Sequence, residues 1–379
     1  MYFDFDYYWR VTRYVWGLKQ WPKRRQLLFR LLVITPPVTI FNALCFLLDY
    51  LLFPRLWTQK VKTPVFIVGH ARSGTTLMHR LMSADGDRFS YFLYWETFFP
   101  SLLQKKTIRL LGKLDALFGS PLLKKLQAWD EKTFGPFRHM HDMSLWNSEE
   151  DQFAMRAAFV TQQWATDLPV MDVIDLFHVD QMPAKRKRWL HHYKECVKRQ
   201  LLLNGGDKIH LSKNPVMSGW VGSLIETFPD AKIVVMMRDP HQCIPSLLKL
   251  VEKSWQHQGW KKADYQSSLD TLRDLSFETF RNPAIQLAAH PNTPQIVVDY
   301  RDITSSPRDT VHAVYKALGL DLSESFDAYL QAQAEREKNH ASKFEYSLGE
   351  YALTRETIEN ELKDFYDQYQ WPRSSDAAG

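Results

Sequence analysis

Between residues 60 and 370, short continuous apolar runs alternate with longer stretches in which apolar residues recur at helical spacing. Five runs have the length and composition of buried strands, and they cover residues 65–68, 89–95, 209–211, 233–237 and 296–298. The longer stretches carry helix signals: Ser306 and Pro307 open one helix that Gly319 closes, and Thr354 can cap another over residues 355–366. Strands that alternate with helices predict an α/β fold, with helices on both faces of a central parallel sheet.

Two parts of the chain depart from this alternation. Residues 100–203 indicate a mainly helical insertion. The basic amphipathic run at residues 102–118 predicts a helix that packs one face on the domain, with a membrane role as the alternative. Residues 1–58 predict a separate segment of apolar helices, either associated with a membrane or folded as a flap over the main domain, residues 59–379.

The most apolar segment is residues 27–53, in which Pro36 and Pro37 are expected to end one helix and begin another. The uncharged helix would then cover residues 38–53 and span about 24 Å, less than the bilayer core of about 30 Å. Three polar residues predict a narrow polar edge on it: Thr39, Asn42 and Asp49. This pattern favours peripheral membrane contact, and it leaves a buried packing helix and a true anchor as alternatives.

The amino-acid composition indicates which kinds of ligand the protein binds and in which compartment it is found. The aromatic share of 14% is high and could line an apolar ligand pocket, whereas a net charge of +5 over 379 residues gives little support to nucleic-acid binding. The chain has three cysteines, Cys45, Cys196 and Cys243, which lie far apart in the sequence. They lack the spacing of metal ligands, so we expect neither a disulfide framework nor a zinc site. We therefore expect a cytoplasmic protein, with membrane association left open, and no nucleic-acid partner.

The first predicted strand runs into the loop G-H-A-R-S-G-T-T, residues 69–76, and then into a helix. Backbone N–H groups of such a loop, together with the positive end of the helix, bind a phosphate group. The triphosphate-binding version of this loop has Lys directly after the second glycine, but this chain has Thr75 there and Arg72 within the loop. The sequence therefore predicts that a single phosphate group is held, with Arg72 beside a leaving group.

Charged residues follow the other predicted strands. Glu96 follows the second strand, Lys213 the third and Arg238 the fourth, with Ser246 eight positions later. Ligands of an open parallel sheet bind at the carboxyl ends of its strands, and a guanidinium with a nearby hydroxyl can hold a phosphate dianion. We thus expect a second phosphate site, suited to a further phosphate on the same nucleotide.

These motifs resemble those of the sulfotransferases that use 3′-phosphoadenosine 5′-phosphosulfate, in the branch with the loop P-R-S-G-T-T. The loop 69–76 is similar to the family's 5′-phosphosulfate motif, with Ala71 where Pro is usual, and residues 233–240 with Ser246 resemble its 3′-phosphate motif. The phrase V-D-Y-R-D around Tyr300 is similar to the family's V-x-Y-E-D, and K-F-E-Y-S-L at residues 343–348 to its K-x-x-Y-S-L. The resemblance covers about residues 62 to 366.

The resemblance implies a P-loop-like three-layer sandwich and transfer of a sulfuryl group to an acceptor hydroxyl, or less readily to an amine, without a metal. It implies that the phosphosulfate nucleotide is bound by Arg72, Ser73, Gly74, Thr75, Thr76, Arg238, Ser246, Tyr300, Lys343 and Tyr346. Apolar and aromatic segments favour a lipophilic alcohol or lipid as the acceptor. A P-loop kinase or NTPase is one alternative, and an inactive nucleotide-binding protein at a membrane surface is the other.

A general base must take the acceptor proton, and positive charge must stabilise the leaving phosphate. We expect Glu96 to be the base, as the carboxylate is in family branches that use Glu, and Arg72 and Lys213 to stabilise the charge. His141 and Glu150 are alternative bases, and Glu96 could instead be a structural carboxylate paired with an arginine. Lys213 could equally be an exposed, solvated charge.

Overall fold

The structure is a computed structural model that describes residues 1–135, 143–337 and 348–373. Five strands follow the predicted order along the chain: β1 (Val65–Gly69), β2 (Phe89–Ser90), β3 (Ile209–Lys213), β4 (Lys232–Met237) and β5 (Gln295–Asp299). All pair in parallel in the order β2-β3-β1-β4-β5. The predicted α/β fold with a central parallel sheet is confirmed.

The predicted second strand is much shorter than the apolar run 89–95 indicated. Only Phe89–Ser90 is strand, and Tyr94–Phe98 forms a 3₁₀-helix, so Glu96 lies within that helix. The backbone N–H groups of Tyr94 and Trp95 donate to the carbonyls of Asn147 and Leu145. This segment finds its backbone partners in another loop, and for that reason it leaves the sheet.

The chain forms two compact units, which we describe one at a time. The first comprises residues 1–62, 87–161 and 187–210, with β2 and the start of β3; the second comprises residues 63–86, 162–186 and 211–379. The second unit holds the core of the sheet, in which every residue of β1 and β4 is buried. Its helices are Thr75–Ser83, Gln163–Asp167, Val221–Thr227, Pro240–His257, Lys262–Ala289, Tyr300–Ser305, Pro307–Ala317, Glu324–Glu337, Arg355–Glu361 and Lys363–Tyr369, with Pro183–Leu203 crossing into the first unit.

The helix signals near the carboxyl end of the chain match the structure in part. Pro307–Ala317 begins where Ser306 and Pro307 indicated, and the Thr354 hydroxyl accepts a hydrogen bond from the Thr357 amide at 3.0 Å. The helix expected over residues 355–366 is two helices, which meet at Leu362.

The first unit is helical, with Phe5–Gly17, Arg24–Leu52, Arg55–Thr58, Leu102–Leu117 and Pro121–Phe134. We call Arg24–Leu52 the long helix. It runs through both Pro36 and Pro37, so the predicted break there is wrong. Residues Arg30–Ile34 form a π-helical turn just before the prolines, in which the Thr35 amide donates to the Arg30 carbonyl. A widened turn relieves the clash between a proline ring and the carbonyl four residues earlier.

The long helix has 29 residues and therefore spans about 44 Å, more than the bilayer core of about 30 Å. By length and composition it is able to cross a membrane, and only 22% of its most apolar window is buried. Its buried face carries the polar residues: the Asn42 amide oxygen accepts from Gln104 at 2.8 Å, and Asp49 pairs with Arg199 at 2.7 Å. The predicted polar edge thus faces the interior of the unit together with Leu31, Cys45 and Phe46, and most of the other large apolar residues face outward.

Candidate active site

The loop between β1 and the helix Thr75–Ser83 is built around two glycines. Gly69 has φ +127° and Gly74 has φ +93°, in the region that favours glycine. A Cβ on Gly69 would lie 2.2 Å from the Met236 carbonyl oxygen, and one on Gly74 would lie 2.7 Å from Cδ2 of Tyr300. Both glycines are needed because the neighbouring strand and the tyrosine ring pack directly on the loop.

The concave side of the loop offers hydrogen-bond donors. The helix that follows has Gly74 as its N-cap, and no side chain caps its first turn. Ser73 is fully buried, and its hydroxyl has no protein partner within the described residues. First-turn N–H groups of a helix and a buried hydroxyl are suited to bind a phosphate or sulfate group, so these residues fit the predicted 5′-phosphosulfate, whose binding here stays a prediction.

The two predicted phosphate motifs meet in the second unit. The Arg72 side chain donates from Nε to the Ser246 hydroxyl at 3.2 Å, and Arg238 donates from Nη1 to the Arg72 carbonyl at 2.9 Å. The Arg238 guanidinium lies 4.2 Å from the centre of the Tyr300 ring, which packs on Gly74. Three of the predicted nucleotide-binding residues therefore lie against the loop that carries Arg72 and Gly74, and they are Ser246, Arg238 and Tyr300.

Lys213 is the last residue of β3 and pairs in register with Ile67 of β1. Its side chain is only 1% exposed, so the alternative of an exposed, solvated charge is wrong. The ends of β3 and β1 lie side by side in the sheet, which brings the Lys213 backbone to the strand that feeds the loop. A buried ammonium at this edge is suited to stabilise negative charge.

An apolar cavity of about 160 Å³ lies within the second unit and reaches the loop at Ala71. Its walls are mainly aliphatic and aromatic, and they include Val216, Leu247, Leu272, Leu275 and Phe177. Two charged groups lie on its lining, Asp175 and His178. A small apolar cavity that touches the phosphate loop suits the reacting end of a lipophilic molecule.

His178 is held between two carboxylates. Its Nδ1 lies 2.7 Å from an Asp175 oxygen and its Nε2 lies 2.8 Å from a Glu278 oxygen. The hydrogen bond to Asp175, with Glu278 adding to it, outweighs burial and raises the pKa of His178 to about 9. The pKa of Asp175 is lowered, because hydrogen bonds from His178 and two backbone amides outweigh the effect of its burial. At neutral pH the cavity is thus bordered by an imidazolium with its counter-ions.

His70, within the loop, is a neutral residue. It is completely buried and its ring stacks on Phe280 with centroids 5.3 Å apart. Burial lowers its pKa to about 4, and its Nε2 has no partner within the described residues. Sequence analysis missed His70, Asp175 and His178; the only local signal was the position of His70 directly after the strand.

Glu96 belongs to the first unit and is 1% exposed. One carboxylate oxygen accepts from Arg109 at 2.9 Å, and the other accepts from Gln200 at 2.7 Å and from the Leu93 amide at 3.0 Å. The structure therefore pairs Glu96 with an arginine, the arrangement expected of a structural carboxylate. Whether it also acts as a base stays a prediction.

The remaining predicted site residues divide into two groups. Glu150 precedes the 3₁₀-helix Asp151–Ala158 in the first unit, and it is partly buried. His141, Lys343 and Tyr346 lie outside the described residues. Among the described residues, no group of three or more His, Cys, Asp or Glu side chains is arranged to hold a metal ion.

Comparison with known proteins bears on this arrangement. Two curated relatives are 25% identical to this chain over 319 residues, which is 82% of this chain and 76% of theirs. Both are named omega-hydroxy-beta-dihydromenaquinone-9 sulfotransferase Stf3, one from Mycobacterium bovis and one from Mycobacterium tuberculosis.

Solved structures share the fold. Sulfotransferase STF9 from Mycobacterium avium aligns with a TM-score of 0.66 and 18% identity over 85% of this chain and 81% of its own. STF1 from Mycobacterium tuberculosis aligns with a TM-score of 0.65 and 19% identity over 94% and 92%. Residues 64–324, which include the loop, Lys213, Arg238 and Tyr300, match the sulfotransferase family. The chain is an enzyme of the sulfotransferase family.

Proposed function

We propose that this enzyme transfers the sulfuryl group of 3′-phosphoadenosine 5′-phosphosulfate to the hydroxyl of a lipophilic alcohol. The observation that carries the donor assignment is the contact of the two phosphate motifs, through Arg72, Ser246 and Arg238. A nucleotide with a 5′-phosphosulfate and a 3′-phosphate offers one anion to each motif. The ring of Tyr300, already under a guanidinium, is suited to lie near the adenine.

In the proposed reaction the acceptor oxygen attacks sulfur, and the bond from sulfur to the bridging phosphate oxygen breaks. Adenosine 3′,5′-bisphosphate leaves, and the acceptor proton passes to a general base. Arg72, the uncapped loop amides and Lys213 would stabilise the negative charge that develops on the leaving phosphate. These groups are positive or dipolar already, so we propose that transfer needs no metal and continues in the presence of a chelator.

The proposed acceptor class rests on the cavity at Ala71, whose lining is mainly apolar. The two relatives from Mycobacterium, whose name describes a hydroxylated menaquinone derivative as their substrate, support the same class. We propose an acceptor with a terminal hydroxyl on an apolar chain. The long apolar helix, Arg24–Leu52, supports a further proposal, that the enzyme works at a membrane surface on its cytoplasmic side.

A thermal-shift titration tests the donor site without knowledge of the acceptor. Adenosine 3′,5′-bisphosphate at 100 times its Kd should stabilise the enzyme by about 2.7 kcal/mol, a shift of several degrees. Arg238→Ala should lose this shift, and Arg80→Ala, which removes an exposed arginine of the helix after the loop, should keep it. Stabilisation by ADP with magnesium instead would indicate a kinase or NTPase, and binding without any turnover would indicate an inactive nucleotide-binding protein.

We propose Glu96 as the general base. The alternative is a purely structural role, which the three hydrogen bonds that its carboxylate accepts also support. Glu96→Gln should lower turnover by about 100-fold or more while bisphosphate binding is kept. Glu150→Gln tests one of the alternative bases and should leave turnover unchanged. A lower melting temperature with turnover near that of the parent enzyme would make Glu96 structural and would direct the search to His141.

A further inference from the structure

Two consecutive helices of the first unit, Leu102–Leu117 and Pro121–Phe134, carry a large exposed apolar surface. We call them the helical pair, residues 102–134. Within residues 110–129 only Asp115 is buried. Nine large apolar side chains in this span are exposed over 39 to 81% of their surface: Leu110, Leu111, Leu114, Leu117, Phe118, Leu122, Leu123, Leu126 and Trp129. The sequence predicted that this segment packs one face on the domain, and its second half does not.

The exposed residues recur at helical spacing in both helices. Leu110, Leu114 and Leu117 follow the i, i+4, i+7 pattern in the first helix, and three residues follow it in the second: Leu122, Leu126 and Trp129. Each helix therefore presents one continuous apolar face. A patch of this extent on a protein surface marks a site of interaction with a partner or a membrane.

The turn between the helices is built to hold this surface in place. The two oxygens of the Asp115 carboxylate accept from the Leu122 and Leu123 amides at 3.0 and 2.9 Å, which caps the second helix. Gly119, with φ +80°, allows the reversal of the chain. Phe118 is 81% exposed beside this fixed turn, so its exposure does not come from a frayed helix end.

The exposed charges of the helical pair are mostly positive, which favours an anionic partner. The helical pair has one exposed carboxylate, that of Glu131, and five exposed lysines. The lysines are Lys106, Lys113, Lys124, Lys125 and Lys132. A second copy of the same surface would bring like charges together, whereas anionic lipid headgroups would neutralise them. The aliphatic parts of lysine side chains can lie along an apolar boundary while the ammonium groups reach the phosphate level.

The helical pair begins at the long helix of the same unit. The Asp49 carboxylate of the long helix accepts from the Ser101 hydroxyl at 2.7 Å and from the Leu102 and Leu103 amides at 3.0 and 2.8 Å. The opposite face of the long helix is apolar at this end, with Leu44, Leu47, Leu48, Leu51 and Leu52 exposed. Two neighbouring elements thus expose apolar side chains, and the polar residues Asn42 and Asp49 of the long helix are buried.

We propose that the helical pair docks on an anionic lipid bilayer, with Leu117, Phe118 and Leu122 inserted at the boundary of the acyl chains. The lysines then lie among the headgroup phosphates. The exposed side chains of this membrane-docking surface lie in the first unit, whereas the nucleotide motifs lie in the second.

A fluorescent label tests the insertion directly in the full chain. All three native cysteines are buried, so a cysteine introduced by Phe118→Cys can be labelled selectively with an environment-sensitive dye. Phosphatidylglycerol-containing vesicles should shift its emission to the blue, and vesicles of phosphatidylcholine alone should shift it less. Ile285→Cys is the matched control, because Ile285 is 62% exposed but lies in the second unit; its label should not respond.

Two combined variants separate the apolar and the charged contributions. Leu117→Ser with Leu122→Ser should reduce flotation with anionic vesicles by about tenfold or more, and Lys113→Glu with Lys124→Glu and Lys125→Glu should remove the preference for anionic lipid. The bisphosphate thermal shift should be unchanged in both, so failure of the surface and failure of the nucleotide site are read separately. The proposal would be overturned by equal responses from both labels or by flotation that the serine substitutions leave unchanged. It would also be overturned by a blue shift that rises with protein concentration in the absence of lipid, which would indicate a second copy of this chain as the partner.

Discussion

The contact of His178 with Asp175 and Glu278 predicts a loss of stability at alkaline pH. A histidine whose pKa is higher in the folded state than in the unfolded chain stabilises the fold while it is protonated in the folded state. The pKa of His178 rises from its ordinary 6.5 to about 9 in the folded enzyme. Its contribution is therefore complete below pH 6.5 and is lost as the pH rises through about 9.

The magnitude follows from the pKa shift and from the exposure of the partners. A shift of this size corresponds to about 3 kcal/mol at 1.36 kcal/mol per pKa unit. The Asp175 and Glu278 side chains are 40 and 42% exposed, so solvent screens both ion pairs. We therefore expect about 1 kcal/mol, or about 1 to 2 °C in Tm for a chain of 379 residues.

The assay compares thermal unfolding of the parent enzyme with His178→Gln at about pH 6 and about pH 9.5. Glutamine keeps a hydrogen-bond donor but carries no charge, so the difference in Tm between the two proteins isolates the charge of His178. That difference should be about 1 to 2 °C at the lower pH and close to zero at the higher pH. His191→Gln, which removes an exposed histidine of the first unit, is the matched control.

A difference between parent and His178→Gln that stays constant, or that grows with rising pH, would refute this reasoning. It would mean that His178 is neutral in the folded enzyme and that its contacts act as ordinary hydrogen bonds. The statement that a protonated His178 borders the cavity would then be wrong.

Three further predictions concern the loop, the long helix and the cavity. Gly74→Ala, with its Cβ 2.7 Å from the Tyr300 ring at φ +93°, should cost about 1–3 kcal/mol and abolish the thermal shift by adenosine 3′,5′-bisphosphate. Arg199→Ala should cost about 3–5 kcal/mol in urea unfolding, because it leaves the Asp49 carboxylate buried without its 2.7 Å partner. Leu275→Asp should raise KM for a lipophilic alcohol by about tenfold or more and leave bisphosphate binding unchanged, since it adds a charge to the apolar cavity wall.

The phosphate loop could be predicted from sequence because its requirements are local. Gly69 and Gly74 are fixed by backbone conformation and by close packing, and a strand, a loop and a helix in succession define the anion site. The second motif needed one further assumption, that strand ends meet at one edge of a parallel sheet. The hydrogen bond from Arg72 to Ser246 bears out that assumption.

Long-range pairing could not be predicted in the same way. His178 meets Glu278 across 100 residues of chain, and no spacing rule connects two positions so far apart. The aromatic run after Phe89 has the composition of a strand, but the Tyr94 amide bonds to the Asn147 carbonyl instead of to the sheet. Composition describes what a segment can form, and the tertiary partner decides what it does form.

The orientation of the long helix likewise depends on its tertiary partners. A polar edge at Asn42 and Asp49 on an apolar helix predicts contact with water along that edge, because polar groups on a soluble protein usually face solvent. Here the first unit supplies buried partners, Gln104 and Arg199, so the polar edge turns inward and leaves the leucines exposed. This helix exposes an apolar outer face, as the helical pair does. Exposed apolar faces of this extent support the proposal that a membrane surface covers them.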